Sequence, residues 1–431
     1  MLRNLKDLGM YDQSFTLRTI SNELRKSDFI KRPRLRAETV KAQELKNAVE
    51  KANGYWNIGN CLLESLLKGK SVFRSAEFSD ELLIRKINNN LNKNFGETSD
   101  SRDNVIANLR ELLSEGIEYR VYRLDIKNFY ESINHSLIKH HLDNSQLISQ
   151  PTKRFVLSFL DEHIKRGRSG VPRGLSLSAT LANVAMKEFD YKIKQHHNVF
   201  YYGRYVDDII IITDRKEMTH KFLKLIRQTL PAGLFLNNKK QKICQTSGDV
   251  KPHKADAPPI KELEFEYLGY QFIVTSPKTV NGMRPGQYHR EVRLDIAKSK
   301  INKTKTRIAR SFLSYNSDKN FEMLLSRLKF LSSNFSVMDA DRDRKRMAGI
   351  FYNYHRINPQ ESEGLKDLDA YLIKVASSGW GNISSKLHST TTVSQRRKIL
   401  RISFARGFSE KTFLHFSHTK MSEIQRCWKY V

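Results

Sequence analysis

YYGRYVDDIIIIT, residues 201–213, is the stretch on which the reading of this chain turns. Tyr201, Tyr202, Tyr205 and Val206 lead in, and Ile209 to Ile212 lead out. Aromatic and β-branched runs of this kind favour strands. Asp207 and Asp208 interrupt them, which predicts a hairpin carrying both acids at its tip. Adjacent carboxylates repel each other, and both stay ionised near neutral pH where a cation neutralises them. A bare Asp-Asp pair is also an ordinary polar turn, so the weight must come from elsewhere in the chain.

It comes first from YRVYRLDIKNFYESI, residues 119–133. Tyr119, Val121, Tyr122, Leu124 and Ile126 predict a strand with Asp125 near its end. A third carboxylate on a neighbouring strand would complete a site for two Mg²⁺ ions. Such a pair activates an attacking hydroxyl and stabilises a leaving pyrophosphate oxygen. Hard oxygen ligands beside phosphates suit Mg²⁺ better than Zn²⁺.

The charge points the same way. Of 431 residues, 75 are Lys or Arg and 46 are Asp or Glu, a net charge of +29. Such an excess repels itself in a compact fold and implies a polyanionic partner, RNA or DNA, more readily than a membrane. The three cysteines, Cys61, Cys244 and Cys427, have no zinc-site or disulfide-framework spacing, which predicts a reducing compartment. The N-terminal MLRNLKDLGMYDQS has no signal-peptide pattern, so a cytoplasmic location is expected.

Length and composition predict several domains. Residues 1–70 read as a basic helical region; RLRAETVKAQELKNAVEKANG (34–54) is built of helix formers and stops at Asn53-Gly54. Residues 71–275 alternate strands and helices, with a polar loop expected over 88–104 and a helix over 105–114. Residues 276–360 and 361–431 read as helical, with a Ser/Thr/Gly-rich break at 377–394.

Between the two acidic segments lies GVPRGLSLSATLANVAMKEFD, residues 170–190. The three segments resemble motifs A, B and C of reverse transcriptases, in the family's order; Tyr205-Val206-Asp207-Asp208 is similar to the YxDD box. GLFLNNKKQKI (233–243) resembles motif D, and FEYLGYQF (265–272) the primer grip. FLSSNFSV (330–337) and GIFYNYHRIN (349–358) are similar to segments of bacterial enzymes of the retron and abortive-infection kind.

The resemblance implies an α+β right-hand polymerase: fingers and palm with an antiparallel sheet over 71–275, a helical thumb over 276–360 and a helical extension over 361–431. It implies that Asp125 and Asp207 bridge the metals, that Asp208 supports them or sits by the primer hydroxyl, and that the Ile126 carbonyl reaches a metal. Tyr130 would stack under the incoming sugar and reject a 2′-hydroxyl, favouring DNA product; the alternative is a core aromatic beside Phe129. Gly170, Pro172 and Gly174 would let backbone approach template and nucleotide. Asn183 would contact the nucleotide or hydrogen-bond within the palm. Arg173 stands where the family usually has Gln, and Ala179 where it usually has Pro; an arginine there could reach phosphate or template. Lys240 would protonate the leaving pyrophosphate, or belong to a solvated lysine run with Lys239 and Lys242. The fingers show no clear triphosphate clamp; among Arg74, Arg85, Lys86 and Arg102, Arg102 is preferred because its helix feeds motif A. Lys298, Lys300, Lys303, Lys305 and Arg307 would line a backbone-binding face. The aromatics Phe404, Phe408, Phe413, Phe416 and Trp428 either stack on RNA bases or form a helical core.

The resemblance further implies an RNA-directed DNA polymerase using dNTPs. Its group, which includes type 3 defence-associated reverse transcriptases, acts in antiphage defence with a noncoding RNA template and makes a DNA product. A second defence protein or a homo-oligomer is an expected partner, and a membrane is not. The alternatives are an RNA-binding scaffold on a palm that is not a processive polymerase, and template-independent or protein-primed synthesis.

Overall fold

The computed structural model describes residues 11–54, 56–67, 69–95, 101–247, 258, 260–279, 288–339 and 344–429. The chain divides into two units. Unit 1 comprises residues 1–108 and 118–245, and unit 2 comprises residues 109–117 and 246–431. Residues 246–275, including the segment that resembles a primer grip, fall in unit 2.

In unit 1, α1 (Leu17–Ser21), α2 (Lys26–Lys31) and α3 (Glu38–Asn53) precede a hairpin of β1 (Leu62–Leu67) and β2 (Lys70–Ser75). Helix α4 (Phe78–Phe95) follows, and α5 (Arg102–Leu113) runs from unit 1 into unit 2. Residues 1–70 are not a separate region: Phe15, Ile20, Leu45 and Trp56 share one core with Leu124, Phe155, Ile209 and Ile211. Nor is 88–104 simply a polar loop, because α4 continues to Phe95 and buries Asn88 and Asn90. Both amides find partners on neighbouring helices: the Thr180 hydroxyl donates to Asn88 at 2.7 Å, and Asn90 Nδ2 donates to Thr152 at 2.8 Å, while the Asn90 Oδ1 is buried without one. A buried amide with partners costs little, and one without them is expensive.

The central sheet is built from β3 (Tyr119–Asp125), β4 (Val199–Tyr205), β5 (Asp208–Asp214) and β6 (Lys242–Gln245). Their order is β4-β5-β3-β6, all antiparallel. Ile209 to Ile212 are fully buried, which explains why β5 reads as a continuous apolar run without alternation. Helices α6 (His135–Asp143), α7 (Gln150–Lys165), α8 (Ser176–Lys194) and α9 (Thr219–Thr229) complete the unit, with α8 packed on β4.

The β4–β5 turn is strained. Val206 has φ +61°, a left-handed conformation that a β-branched residue rarely adopts and that costs roughly 1–3 kcal/mol. What holds it is Arg204, almost fully buried. Its Nη1 donates to the Val206 carbonyl at 3.0 Å. Its other nitrogens grip the Asp190 carboxylate of α8 in a fork, Nε to Oδ1 at 2.8 Å and Nη2 to Oδ2 at 2.7 Å. The Tyr202 hydroxyl donates to the same carboxylate at 2.5 Å.

Unit 2 holds a sheet of β7 (Lys261–Tyr267), β8 (Tyr270–Thr275) and β11 (Val292–Ile296), with a short pair β9 (Lys278–Thr279) and β10 (Tyr288–His289). Helices α10 (Lys298–Asp318) and α11 (Phe321–Ser332) follow. The expected helical thumb is interrupted by a ribbon of β12 (Asn334–Asp339) and β13 (Arg344–Gly349). Then come α12 (Ile350–Tyr354), α13 (Glu363–Ser377), α14 (Gly381–Thr390), α15 (Val393–Leu400), α16 (Phe404–Ser409) and α17 (His418–Arg426). The predicted loop at 377–394 is largely α14. Among the described residues no helix is long and apolar enough to cross a membrane.

Asp190→Ala would leave the Arg204 guanidinium buried without its counter-ion, a loss of about 3–5 kcal/mol. Chemical denaturation should show a clearly lower midpoint; a midpoint equal to that of the unaltered chain would contradict the role assigned to the fork.

Candidate active site

The register of the central sheet brings the three predicted aspartates together. Asp125, the last residue of β3, lies directly opposite Asp208, the first of β5. Opposed residues of an antiparallel pair project from the same face. Asp207 occupies the turn, and its carbonyl accepts from the Ile126 amide at 3.1 Å. Ile126 thus lies beside the turn; it is buried and bridged to Leu236.

Electrostatics agree with this crowding. Burial, then Asp207, then Asp125 push the Asp208 carboxyl up to about 6. Burial and the Asp125 charge also raise Asp207. These acids resist ionising together unless a cation joins them. The donor set, all hard oxygen, fits Mg²⁺ by class. As arranged, however, no three Asp, Glu, His or Cys side chains among the described residues form a ready metal nest. Asp125 has both oxygens engaged already: Asn237 Nδ2 donates to Oδ1 at 2.9 Å, and Lys240 Nζ to Oδ2 at 2.7 Å. The Lys240 ammonium is the cation beside Asp125 in this arrangement, and that contact raises its pKa above the usual lysine value.

Lys240 is therefore more than part of a solvated run, although its side chain is 57% exposed. The loop carrying it is tied to the exit of β3: the Asn237 amide donates to the Asp125 carbonyl at 2.7 Å, and Lys127 N–H to the Phe235 carbonyl at 2.9 Å. The sequence offered no signal for Asn237, whose amide is visible as a partner only once the loop is folded back.

Tyr130 begins a short 3₁₀ turn, Tyr130–Ser132. Burial chiefly, and then the Asp207 charge, raises its hydroxyl pKa. Its carbonyl accepts from Val171 N–H at 2.8 Å. Gly170 has φ +69°, and a Cβ there would stand 2.0 Å from that carbonyl oxygen, so only glycine fits.

Arg173 is paired within the palm in this structure. Its Nε and Nη2 pair with the two Glu131 carboxylate oxygens at 3.0 and 3.2 Å, and its guanidinium lies 5.1 Å from the Tyr130 ring centroid. The close approach that Gly174 permits is to the β1–β2 hairpin, since a Cβ there would stand 2.7 Å from the Phe73 carbonyl oxygen. The Phe73 amide also donates to the Arg173 carbonyl at 2.8 Å. Asn183 Oδ1 accepts from Arg204 Nη1 at 3.2 Å, which is the palm-internal alternative for that residue.

The remaining cations disperse. Arg85 is buried against Asp28 and Glu81, and Lys86 is buried beside Tyr11 and the Asp12 carbonyl. Arg102 is half-buried at the first turn of α5, and Arg74 is exposed on β2. In unit 2 the predicted basic face is largely occupied. Lys298 pairs with Glu264 at 3.1 Å and Lys305 with Asp367 at 2.7 Å. Arg307 lies against Trp428, and burial lowers its pKa. Lys300 is exposed and Lys303 half-buried. Of the terminal aromatics, Phe404, Phe408 and Trp428 are buried, and Phe413 and Phe416 are half-buried, which is core packing.

Residues 82–272 match the family model described as "Reverse transcriptase (RNA-dependent DNA polymerase)". Over 138 residues the chain is 28% identical to the retron Ec73 reverse transcriptase of Escherichia coli, covering 29% of this chain and 43% of that one. The chain thus matches less than half the length of this curated relative. Among solved structures it is similar to apo telomerase from Candida tropicalis truncated from its C-terminal domain (17% identity, 45% of this chain, 43% of that one, TM-score 0.31). It is also similar to telomerase from Candida albicans in complex with the TWJ fragment of telomeric RNA (13% identity, 91% of this chain, 56% of that one, TM-score 0.33). Similarity at these TM-scores carries no argument.

The raised Asp208 carboxyl has a signed consequence. The native state holds its proton to about 6 and the unfolded state only to about 3.8, so metal-free stability falls as pH rises between those values. Asp208→Asn should remove that dependence and stabilise the metal-free protein at pH 7 by on the order of 2 kcal/mol. Thermal unfolding across pH with and without a chelator measures it; an unchanged or lower stability for the variant would contradict the crowding.

Proposed function

We propose, from the premise that residues 82–272 are a reverse transcriptase domain of the retron-like kind, that the chain is an RNA-templated DNA polymerase. The observation that carries this reading is the convergence of Asp125, Asp207 and Asp208 through the β3–β5 register, with Asp208 pushed up to about 6. Asp125, Asp207 and Asp208 would hold two Mg²⁺ ions. When bound, these lower the pKa of the attacking 3′-hydroxyl and neutralise charge on the phosphates.

The chain's own residues do the rest. Lys240, kept protonated by Asp125, carries a proton that can pass to the leaving pyrophosphate oxygen once the ammonium leaves the carboxylate. Tyr130, locked between its own backbone contact to Val171 and the Arg173 guanidinium, offers a rigid ring against the sugar. A rigid aromatic wall rejects an added hydroxyl by sterics, whereas a soft one would yield. Arg173 and Glu131 act here as positioning residues through Tyr130. Arg102, at the first turn of the helix that feeds β3, and exposed Arg74 are the triphosphate candidates proposed in the fingers.

We further propose a noncoding RNA as template, a role in antiphage defence, and a cytoplasmic location. The +29 charge supports the RNA partner, and the similarity to a retron enzyme supports the choice of template.

Purified protein with an RNA template, a DNA primer, Mg²⁺ and labelled nucleotides tests the reading. Polymer should form from dNTPs and vanish in the Asp207→Ala/Asp208→Ala double variant. No polymer from the unaltered chain under any priming condition would favour an RNA-binding scaffold, and polymer without template would favour template-independent synthesis. Tyr130→Ala should raise NTP use relative to dNTP by about tenfold or more. Arg173→Gln should move the same ratio in the same direction by a smaller factor; an unchanged ratio in both variants would overturn the sugar-gate assignment.

A further inference from the structure

The predicted stacking aromatics are buried or half-buried, but another aromatic is not. Trp380 is 86% exposed, the most exposed large apolar side chain among the described residues. It lies between α13 and α14, flanked by Gly379 at φ +68° and Gly381 at φ +82°. Each glycine takes a left-handed conformation that an L side chain would strain. Together they turn the chain so that the indole faces solvent.

The loop beneath is fixed. Gly379 N–H donates to the Ser384 hydroxyl at 2.9 Å, and Ser384 is buried. His388 Nε2 bonds the Ala376 carbonyl at 3.2 Å, tying α14 to the end of α13. Trp380 is thus a large apolar ring on a preorganised backbone, so binding it requires little further ordering.

The surroundings say what it meets. Between Asp369 and Glu410 the chain carries seven Lys or Arg and no Asp or Glu. Helices α14 and α15 both pack on α13, so this run folds as one assembly. Lys374, Lys386, Arg397, Lys398 and Arg401 are exposed on it. The first turns of α13 carry Glu363, Asp367 and Asp369, but from the end of α13 through α15 the run is basic without a carboxylate; such a run attracts a polyanion, and an isolated exposed indole is a platform for a flat ring. A duplex hides its base faces, whereas an unpaired strand offers them. An acidic protein segment would satisfy the charge but leave the indole without a flat partner.

We propose that Trp380 and the basic surface from the end of α13 through α15 bind an unpaired stretch of RNA, with one base stacked on the indole. The site lies within unit 2 and does not rest on the polymerase reading of unit 1.

The other tryptophans, Trp56 and Trp428, are buried, so Trp380 supplies the solvent-exposed emission. The full chain is titrated with a short unstructured RNA oligonucleotide, the same RNA fully paired, single-stranded DNA of the same sequence, and anionic phospholipid vesicles. Quenching by the unpaired RNA and not by the duplex is expected. Trp380→Leu should weaken that RNA by about tenfold in an anisotropy titration, and Trp380→Phe, which keeps a stacking face, by much less. Both variants should extend a short primer–template as the unaltered chain does, which separates this site from the catalytic one. Equal RNA affinity in Trp380→Leu, equal quenching by the duplex, stronger quenching by DNA or by vesicles, or an emission shift that follows protein concentration alone would each overturn the assignment.

Discussion

The candidate site depends on the turn that Arg204 holds. Its bond to the Val206 carbonyl, together with the Ile126 amide on the Asp207 carbonyl, opposes the relaxation of a β-branched residue from φ +61°. Relaxation there would change the exit of β4 and move Asp207 and Asp208 relative to Asp125. The restraint is anchored outside the turn, on Asp190 of α8, so helix and hairpin tip are joined by a buried ionic fork. A buried pair of this kind is poor evidence for net stability, because desolvation offsets much of the attraction. Its value is geometric: two planar groups meeting in a fork allow little angular freedom.

A second constraint closes the site from the other side. The loop carrying Asn237 and Lys240 bonds both oxygens of Asp125 and its carbonyl. Lys240 therefore neutralises the first acid and stands where it would compete with a metal for it. Under the proposed reading, proton donor and metal competitor would be one residue, since a cation on Asp125 would take the place of the ammonium. Glu131, Arg173 and Tyr130 form a comparable chain, linked through the Arg173 carbonyl to the β1–β2 hairpin.

The strands and the aspartates were legible because an acid set in an apolar β-branched run fits little besides a strand end or a hairpin tip, and the order of the motifs narrowed the choice further. The pairing partners were not legible. The Glu131 partner of Arg173 was hidden because a sequence shows a charge and not the carboxylate it meets. Asn88 and Asn90 read as loop, since polar runs betray burial only when their partners on α7 and α8 are known. The partners of the α10 cations were hidden for the same reason: Lys298, Lys305 and Arg307 each meet a group far away in sequence. Trp380 was hidden inside a stretch rich in Ser, Thr and Gly that resembled a loop, although its two glycines were the clue to its exposure.

The central claim is that Asp125, Asp207 and Asp208 bind divalent cations in competition with Lys240. Binding of Mn²⁺ to the purified protein, followed by the loss of its free-ion paramagnetic resonance signal, tests it most directly. Binding should be tighter in Lys240→Ala than in the unaltered chain, and lost in Asp125→Asn/Asp207→Asn. Mn²⁺ affinity indifferent to both changes would contradict the claim.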